Sequence, residues 1–415
     1  MSKGRAAIIG GSLGGLFSAH LLRAVGWDVD VFEQETGDLA GRGAGIGTHD
    51  ALHQVMARIG VPIERTMAVV TRCYTCLDDA GNIFREVPSQ RTMSAWASFY
   101  RPLKAHLPAE CCHFGMRLTR VEPDRTGIAA VFADGSRISA DVLIGADGHR
   151  STVRSQFLYN VKPTYAGYIA WRAMVPEDRL RDETRAMLSE RYVFYLADNQ
   201  MALVYPVPNN QGDPRLGRYS FNVVWYRTTD TDTLNQLCTD SQGRQHLGSI
   251  PPPLIRPEVV AQAKEAACAL LAPQIAEIVM QSKQLFFQPI YDLDSPRLVF
   301  GNAVLLGDAA FVARPHVGAG VTKAALDAVG LADAIAAHEG DLNAALVRYD
   351  RERRMFGRWV VNRGRQLGAY LELGPPSQPF ERDERQRVER VMREHIATTV
   401  AIHDMTVDIT AKSVS

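Results

Sequence analysis

The chain has 415 residues, long enough to bury a large core and to hold two domains. Hydrophobic residues make up 46% and charged residues 22%, with Lys+Arg and Asp+Glu balanced at 46 each, so no net field recruits nucleic acid or anionic lipid. No apolar run approaches the length of a membrane span.

Met1 to Arg5 carries no secretory pattern and runs directly into a strand-like stretch, from which a cytoplasmic protein is expected. Ala6 to Gly10 reads as a strand, Gly10-Gly11-Ser12-Leu13-Gly14-Gly15 as a tight glycine turn, and Leu16 to Val25 as a helix ended by Gly26. Asp28 to Phe32 is a second strand, closed by Glu33. Gly10 permits the turn, Gly15 permits close helix–strand packing, and the helix mouth offers N–H groups to a pyrophosphate. An acid about 20 residues beyond such a loop accepts ribose hydroxyls, and Glu33 has that place. Ser12 stands where the middle glycine of the G-x-G-x-x-G pattern lets backbone approach phosphate, and its hydroxyl offers a donor instead.

Gly41-Arg42-Gly43-Ala44-Gly45-Ile46-Gly47-Thr48-His49 is a second glycine-rich loop, before a helix near Asp50 to Ile59. Gly45 offers backbone to a ligand and Arg42 reaches ribose or phosphate; a loop with a solvated arginine is the competing reading. Val69 to Arg85 alternates as strands around a turn at Asp78 to Asn82, and a helix passes through Tyr100 to Leu103. Residues 112 to 146 read as a small β-meander ending in Val142 to Ala146, followed by Asp147-Gly148. Cys73, Cys76, Cys111, Cys112 and His113 suggest zinc, but the second pair is adjacent and no second histidine follows at finger spacing, so no metal site is expected.

Residues 161 to 286 carry aromatic, β-branched segments that predict an antiparallel sheet, a common pocket wall. Helices follow around Glu258 to Leu271 and beyond Pro273. Leu305-Leu306-Gly307-Asp308 reads as a buried strand ending in Gly-Asp, with a Pro/Gly loop and a helix after it. Asp308 suits a ribityl or ribose hydroxyl, although such a loop is also plain strand-to-helix punctuation. Residues 350 to 372 and 380 to 403 are helical and strongly charged.

Three separated signals thus stand in order: Gly10 to Gly15 with Glu33, Asp147-Gly148, and Gly307-Asp308. The set resembles the single-component FAD-dependent aromatic hydroxylases of the p-hydroxybenzoate hydroxylase type. Gly10-Gly11-Ser12, Pro163 to Tyr168 with Trp171-Arg172, and Arg314-Pro315-His316 resemble its hydroxypyridine-hydroxylating branch. The resemblance implies an α/β fold: a Rossmann-type, glutathione-reductase-like FAD-binding domain (1–72, 92–160 and 283–349), an antiparallel-sheet substrate domain (73–91 and 161–282) and a helical C-terminal segment (350–415). Gly10, Ser12 and Gly15 would hold the FAD pyrophosphate, Glu33 the adenosine ribose and Asp308 the ribityl chain. Asp147 and Gly148 would serve FAD and a transient NADH or NADPH. Pro315, Gly318 and Gly320 would lie along the isoalloxazine. Phe311 and Thr322 stand where many relatives have histidine and asparagine; Tyr100 replaces a flavin-contacting arginine, with Arg101 beside it.

The chemistry implied is oxygen transfer from a flavin C4a-hydroperoxide to an electron-rich ring, which needs a dry site and a base for a ring hydroxyl. His316 and His49 are the candidates, since both sit on loops expected to border the flavin. Tyr165, Trp171, Arg172, Tyr195 and Tyr205 are candidate pocket walls, with core packing the competing reading. The expected substrate is a hydroxypyridine-like ring, consumed with O2 by a homodimer. The rivals are a decarboxylating hydroxylase of a salicylate- or 6-hydroxynicotinate-type acid, held by Arg172, and a flavin-binding module without turnover.

Overall fold

The computed structural model describes residues 3–42, 44–62, 68–124, 127–209, 219–371 and 384–411. It opens on β1 (Arg5–Ile9), α1 (Leu13–Ala24) and β2 (Asp28–Glu33), the two strands paired in parallel. Ala6 to Ile9 are buried, as a central parallel strand covered on both faces requires. The helix begins three residues before the Leu16 expected. Ser12 is its N-cap and Leu13 is already buried against the core.

Next come β3 (Gly45–Thr48), α2 (Asp50–Arg58), the long hairpin β4 (Ala68–Leu77) and β5 (Ile83–Ala95), and α3 (Trp96–His106). Then follow β6 (Cys112–Phe114), β7 (Leu118–Asp124), β8 (Gly127–Phe132), β9 (Arg137–Ala140), β10 (Val142–Gly145) and α4 (Thr152–Phe157). The meander expected over 112–146 is only its middle. β6 joins β2 and β10 joins β1, both in parallel, because these apolar ends complete the first sheet.

The second half holds β11 (Thr164–Pro176), α5 (Asp182–Leu188), β12 (Arg191–Ala197), β13 (Gln200–Pro208), β14 (Tyr219–Thr228) and α6 (Thr231–Leu237). After these stand α7 (Pro257–Leu270), α8 (Pro273–Gln281), β15 (Phe286–Asp294), β16 (Val299–Phe300), β17 (Ala303–Leu305) and β18 (Phe311–Val312). The chain closes with α9 (Gly320–Ala337), α10 (Leu342–Gly368) and α11 (Glu384–Ala411).

The six-stranded sheet runs β16-β17-β10-β1-β2-β6, and the nine-stranded sheet runs β18-β15-β11-β14-β13-β12-β4-β5-β3. The larger sheet is antiparallel except where β12 meets β4 in parallel, joining two separate hairpins. Its side chains alternate between two apolar layers. Trp171, Tyr195 and Trp225 pack with Val259 of α7 and Ile275 of α8 on one face. Tyr168, Tyr192, Tyr205 and Tyr226 pack with Val388 and Met392 of α11 on the other. The domain limits expected at 73, 91 and 350 fall inside β4, β5 and α10, so the chain passes between layers within continuous elements.

Candidate active site

The Gly10, Asp147 and Asp308 loops follow β1, β10 and β17, neighbouring parallel strands, so they meet at one end of the six-stranded sheet. Gly10 has φ +109°, and a Cβ there would lie 2.4 Å from the Ala146 carbonyl oxygen, so only glycine fits. A Cβ on Gly15 would lie 1.9 Å from the Gly10 oxygen, which fixes α1 hard against the turn. Ser12 makes no side-chain capping bond, so its hydroxyl is not committed to the first N–H groups of α1. The Glu33 carboxylate accepts from the Gly11 N–H at 2.7 Å and the Glu35 N–H at 3.0 Å, tying the glycine turn to β2.

Asp147 accepts from the Ser151 hydroxyl at 2.6 Å and the Thr152 N–H at 2.7 Å, so it caps α4. Arg154, which sequence reasoning left without a role, is buried and joins two motifs. Its Nη2 donates to the His149 carbonyl at 2.6 Å and its Nη1 to the Ala309 carbonyl at 3.0 Å. Asp308 is half exposed, with the buried Lys323 ammonium 3.8 Å away. Lys323 also lies 3.8 Å from Asp327 and has no hydrogen-bond partner among the described residues.

The 314–320 loop is pinned from behind. Arg314 forms a buried bidentate pair with Asp292, at 3.1 and 2.8 Å. Gly318 adopts φ +61°, and Gly320 opens α9 with nothing beside it. His316 is buried; its Nε2 lies 3.0 Å from the Tyr168 hydroxyl, and its ring stacks on Tyr226 with centroids 4.2 Å apart. His49 Nδ1 lies 3.0 Å from the Thr322 hydroxyl. Burial pushes both imidazoles down, His49 to about 3 and His316 well below the usual range, so both are neutral at physiological pH. Tyr205 donates to the Gly45 carbonyl at 3.0 Å, and the Gly45 N–H donates to Asn222 at 2.9 Å, which ties the edge strand β3 to β13 and β14 of the same sheet.

A family described as FAD binding domain-like matches residues 165–292. The chain is 29% identical over 379 residues to the 2,6-dihydroxypyridine 3-monooxygenase of Paenarthrobacter nicotinovorans, covering 90% of this chain and 93% of that protein. It is 27% identical to a 6-hydroxynicotinate 3-monooxygenase of Bordetella bronchiseptica, over 79% of this chain and 82% of that one. The solved structure of the Arthrobacter nicotinovorans 2,6-dihydroxypyridine-3-hydroxylase superposes with TM-score 0.84 at 27% identity, covering 92% and 95% of the two chains. The chain is a flavin-dependent aromatic hydroxylase. A Klebsiella pneumoniae protein solved with FAD and uric acid shares the fold, with TM-score 0.74 at 23% identity over 98% and 96% of the two chains.

The hydroxylase uses FAD, and its residues suit that group. The Ser12 hydroxyl left uncommitted by the helix cap, the open space beside Gly320 at the mouth of α9, and the Lys323 ammonium without a hydrogen-bond acceptor among the described residues are the donors and clearances a long anionic cofactor needs. Arg101 is exposed on α3 in a cleft with Asp38, Lys104 and Phe114; Tyr100 lines the same cleft and stacks on Trp96. Arg42 ends a short helical turn, and Gly43 lies outside the described residues. Among the described residues no cluster fit for a metal occurs.

Three of the five expected pocket walls face away from the histidines. Trp171 packs edge-on against Phe287, Tyr195 donates to Asp79 at 2.8 Å, and Tyr165 donates to the Thr229 carbonyl at 2.9 Å. All three pack with the helical layer. The reason is strand periodicity: Trp171 and Arg172 are consecutive in β11 and must take opposite faces. Arg172 and Tyr205 are on the His316 side, with Tyr168, Tyr192 and Tyr226. Sequence reasoning missed those tyrosines, Arg91 and His395. His395 of α11 reaches the same face, with its ring centroid 5.1 Å from Phe194 and 6.2 Å from His316. A period-two count along β11 to β14 finds the tyrosines; only tertiary contact finds His395.

Proposed function

We propose that this hydroxylase acts on a small hydroxylated N-heteroaromatic ring of the hydroxypyridine class, with NADH or NADPH and O2 as co-substrates. The supporting observation is His316, neutral and buried between Tyr168 and Tyr226, with its Nδ1 free of any hydrogen bond. FAD, when bound, supplies the activation of dioxygen. The protein's part is to exclude water, hold the ring and take its hydroxyl proton.

Gly10, Ser12 and Gly15 hold the pyrophosphate, Glu33 and Asp308 the polyol ends, and Pro315, Gly318 and Gly320 the flat ring. Gly45 would offer backbone to the ligand, and Asp147-Gly148 would serve FAD and the transient nicotinamide cofactor. His316 accepts the ring proton at Nδ1, and Tyr168 fixes its other nitrogen. A depressed pKa makes a weak base in isolation, but the anion formed beside it stabilises the imidazolium. His49, held by Thr322, is the second proton acceptor. The ring lies against Tyr205, Tyr226 and Arg172.

A second reading is favoured by Arg172, whose buried Nε has no acceptor and which has no ion pair among the described residues: a decarboxylating hydroxylation of a ring acid. A panel of hydroxypyridines, 6-hydroxynicotinate and hydroxybenzoates tests both, scored by ligand-stimulated NADH and oxygen consumption, product mass and carbon dioxide release. Hydroxypyridine hydroxylation without carbon dioxide supports the first reading; carbon dioxide released from the acids supports the second. Cytoplasmic location and a homodimer belong to the same proposal, the latter read by light scattering.

A further inference from the structure

Arg91 lies on β5, 5% exposed, far in sequence from every flavin motif. Its guanidinium packs against both loops expected at the flavin. A Cβ built on Gly318 would lie 2.1 Å from Arg91 Nη2, and one on Gly47 would lie 2.6 Å from it. The two glycines therefore leave the space that the guanidinium fills. Nη1 lies 3.3 Å from the Tyr74 hydroxyl, and the cation sits 4.9 Å from the centre of the Tyr192 ring.

Neither Arg91 nor Arg172 has a carboxylate within ion-pair distance among the described residues. The titratable groups around Arg91 cannot neutralise it. Tyr74 of β4, Tyr192 of β12 and Tyr205 of β13 face it, with His49 before α2 and His395 of α11. Burial pushes the Tyr192 and Tyr205 phenols up and both imidazoles down, so these four groups are uncharged near neutrality. A buried cation without a partner is strongly unfavourable, and proteins keep such groups where a ligand supplies the opposite charge.

The neutral donors agree. Arg91 Nε, Arg172 Nε and Asn222 Nδ2 are buried with no acceptor among the described residues. The Asn222 amide is oriented by the Gly45 N–H, which occupies its oxygen and leaves its NH2 as donor. Tyr192 and Tyr205, ring centroids 5.2 Å apart, feel both guanidinium charges, so the two arginines flank one aromatic patch. A patch with surplus donors and positive charge recognises a flat ligand rich in acceptor oxygens.

We propose that Arg91, with Arg172 opposite, is the specificity-determining anchor for an anionic oxygen on the substrate ring, so that the ring is bound as its anion. This rests on the hydroxylase reading of the same site. The anionic oxygen has two sources, an ionised ring hydroxyl or a ring carboxylate.

The test is ligand binding to the FAD-loaded protein, read by perturbation of the flavin absorbance. The probes are 2,6-dihydroxypyridine, 6-hydroxynicotinate, salicylate and the neutral 2,6-dimethoxypyridine. Wild type, R91Q, R91K and R172Q are compared at matched FAD content. R91Q is expected to weaken the anionic probes by roughly 10- to 100-fold, the worth of a charge-assisted hydrogen bond, and the neutral probe hardly at all. R91K is expected to recover part of the loss. Loss with 2,6-dihydroxypyridine assigns the ring oxygen, and loss with the acids alone assigns the carboxylate; either supports Arg91. Wild type alone gives a second readout if R91Q does not fold: the bound dihydroxypyridine is expected to show the spectrum of its anion at a pH where the free ligand is neutral. The proposal is overturned if R91Q binds every anionic probe like wild type, if no anionic probe binds wild type better than the neutral one, or if R91Q changes only the flavin potential. If hydroxypyridines are bound through Arg91 but never hydroxylated, the functional reading alone falls.

Discussion

The Tyr168 hydroxyl and the His316 Nε2 are 3.0 Å apart in a buried site, and a Cβ on Gly368 of α10 would come within 2.4 Å of that hydroxyl. The contact fixes the imidazole and leaves Nδ1 for the substrate. Tyr168→Phe removes one partner and leaves the other buried, at a cost of about 1–3 kcal/mol. The expected result is a lower denaturation midpoint together with a kcat reduced roughly 10- to 100-fold, as for loss of a positioned base. FAD content measured by absorbance is expected to stay at the wild-type level, since neither residue is placed on the pyrophosphate or the ribityl chain.

Asp292 answers two cations. Arg314 binds it at 2.8 Å and Arg365 approaches to 3.3 Å. Asp292→Asn leaves a buried guanidinium uncompensated, a change that destabilises by about 3–5 kcal/mol. Because Arg314 opens the loop carrying Pro315 and Gly318, flavin release on dilution is expected to accelerate before global unfolding is seen by circular dichroism.

Neighbouring glycines on α1 separate backbone fit from side-chain tolerance. Gly15→Ala would bring a methyl to 1.9 Å from the Gly10 oxygen, whereas Gly14→Ala meets the Leu306 Cδ2 at 3.2 Å, a side-chain atom able to move. Gly15→Ala is expected to purify without bound FAD, and Gly14→Ala to remain yellow with a midpoint close to wild type.

Acid stability carries the mark of the buried histidines. His49 and His395 are pushed down to about 3, and His316 is lowered also, each by burial first. The unfolded chain binds these protons below about pH 6.5 while the folded chain does not, so stability is full above that pH and falls as pH drops toward 3. Each histidine contributes a slope of up to about 1.4 kcal/mol per pH unit in that window. Urea midpoints at pH 7.5, 6.0 and 5.0 are expected to fall steadily, and His395→Gln to make the slope shallower.

The opening β-α-β frame and its glycine turn were legible in the chain because their constraints are local. Gly10, Gly15 and Glu33 lie within one β-α-β turn, where φ and close packing dictate residue type. The tyrosine- and arginine-bearing face of the larger sheet was legible only at Arg172 and Tyr205. Arg91, Tyr192 and His395 come from β5, β12 and α11, brought together by a nine-stranded order that no local spacing encodes. Part of the miss was avoidable, since strand alternation forbids Trp171 and Arg172 from sharing a wall. Glu33 and Asp147 showed a duty that motif reading leaves out: Glu33 binds the Gly11 N–H of the glycine turn, and Asp147 the Thr152 N–H at the start of α4.

Oxygen-18 incorporation tests the account most directly. The FAD-loaded protein, given NADH, 2,6-dihydroxypyridine and labelled dioxygen, is expected to consume NADH faster than without the ring and to yield a hydroxylated product carrying one labelled oxygen atom. NADH oxidation that no ring in the panel accelerates, or a product whose new oxygen comes from water, would contradict it.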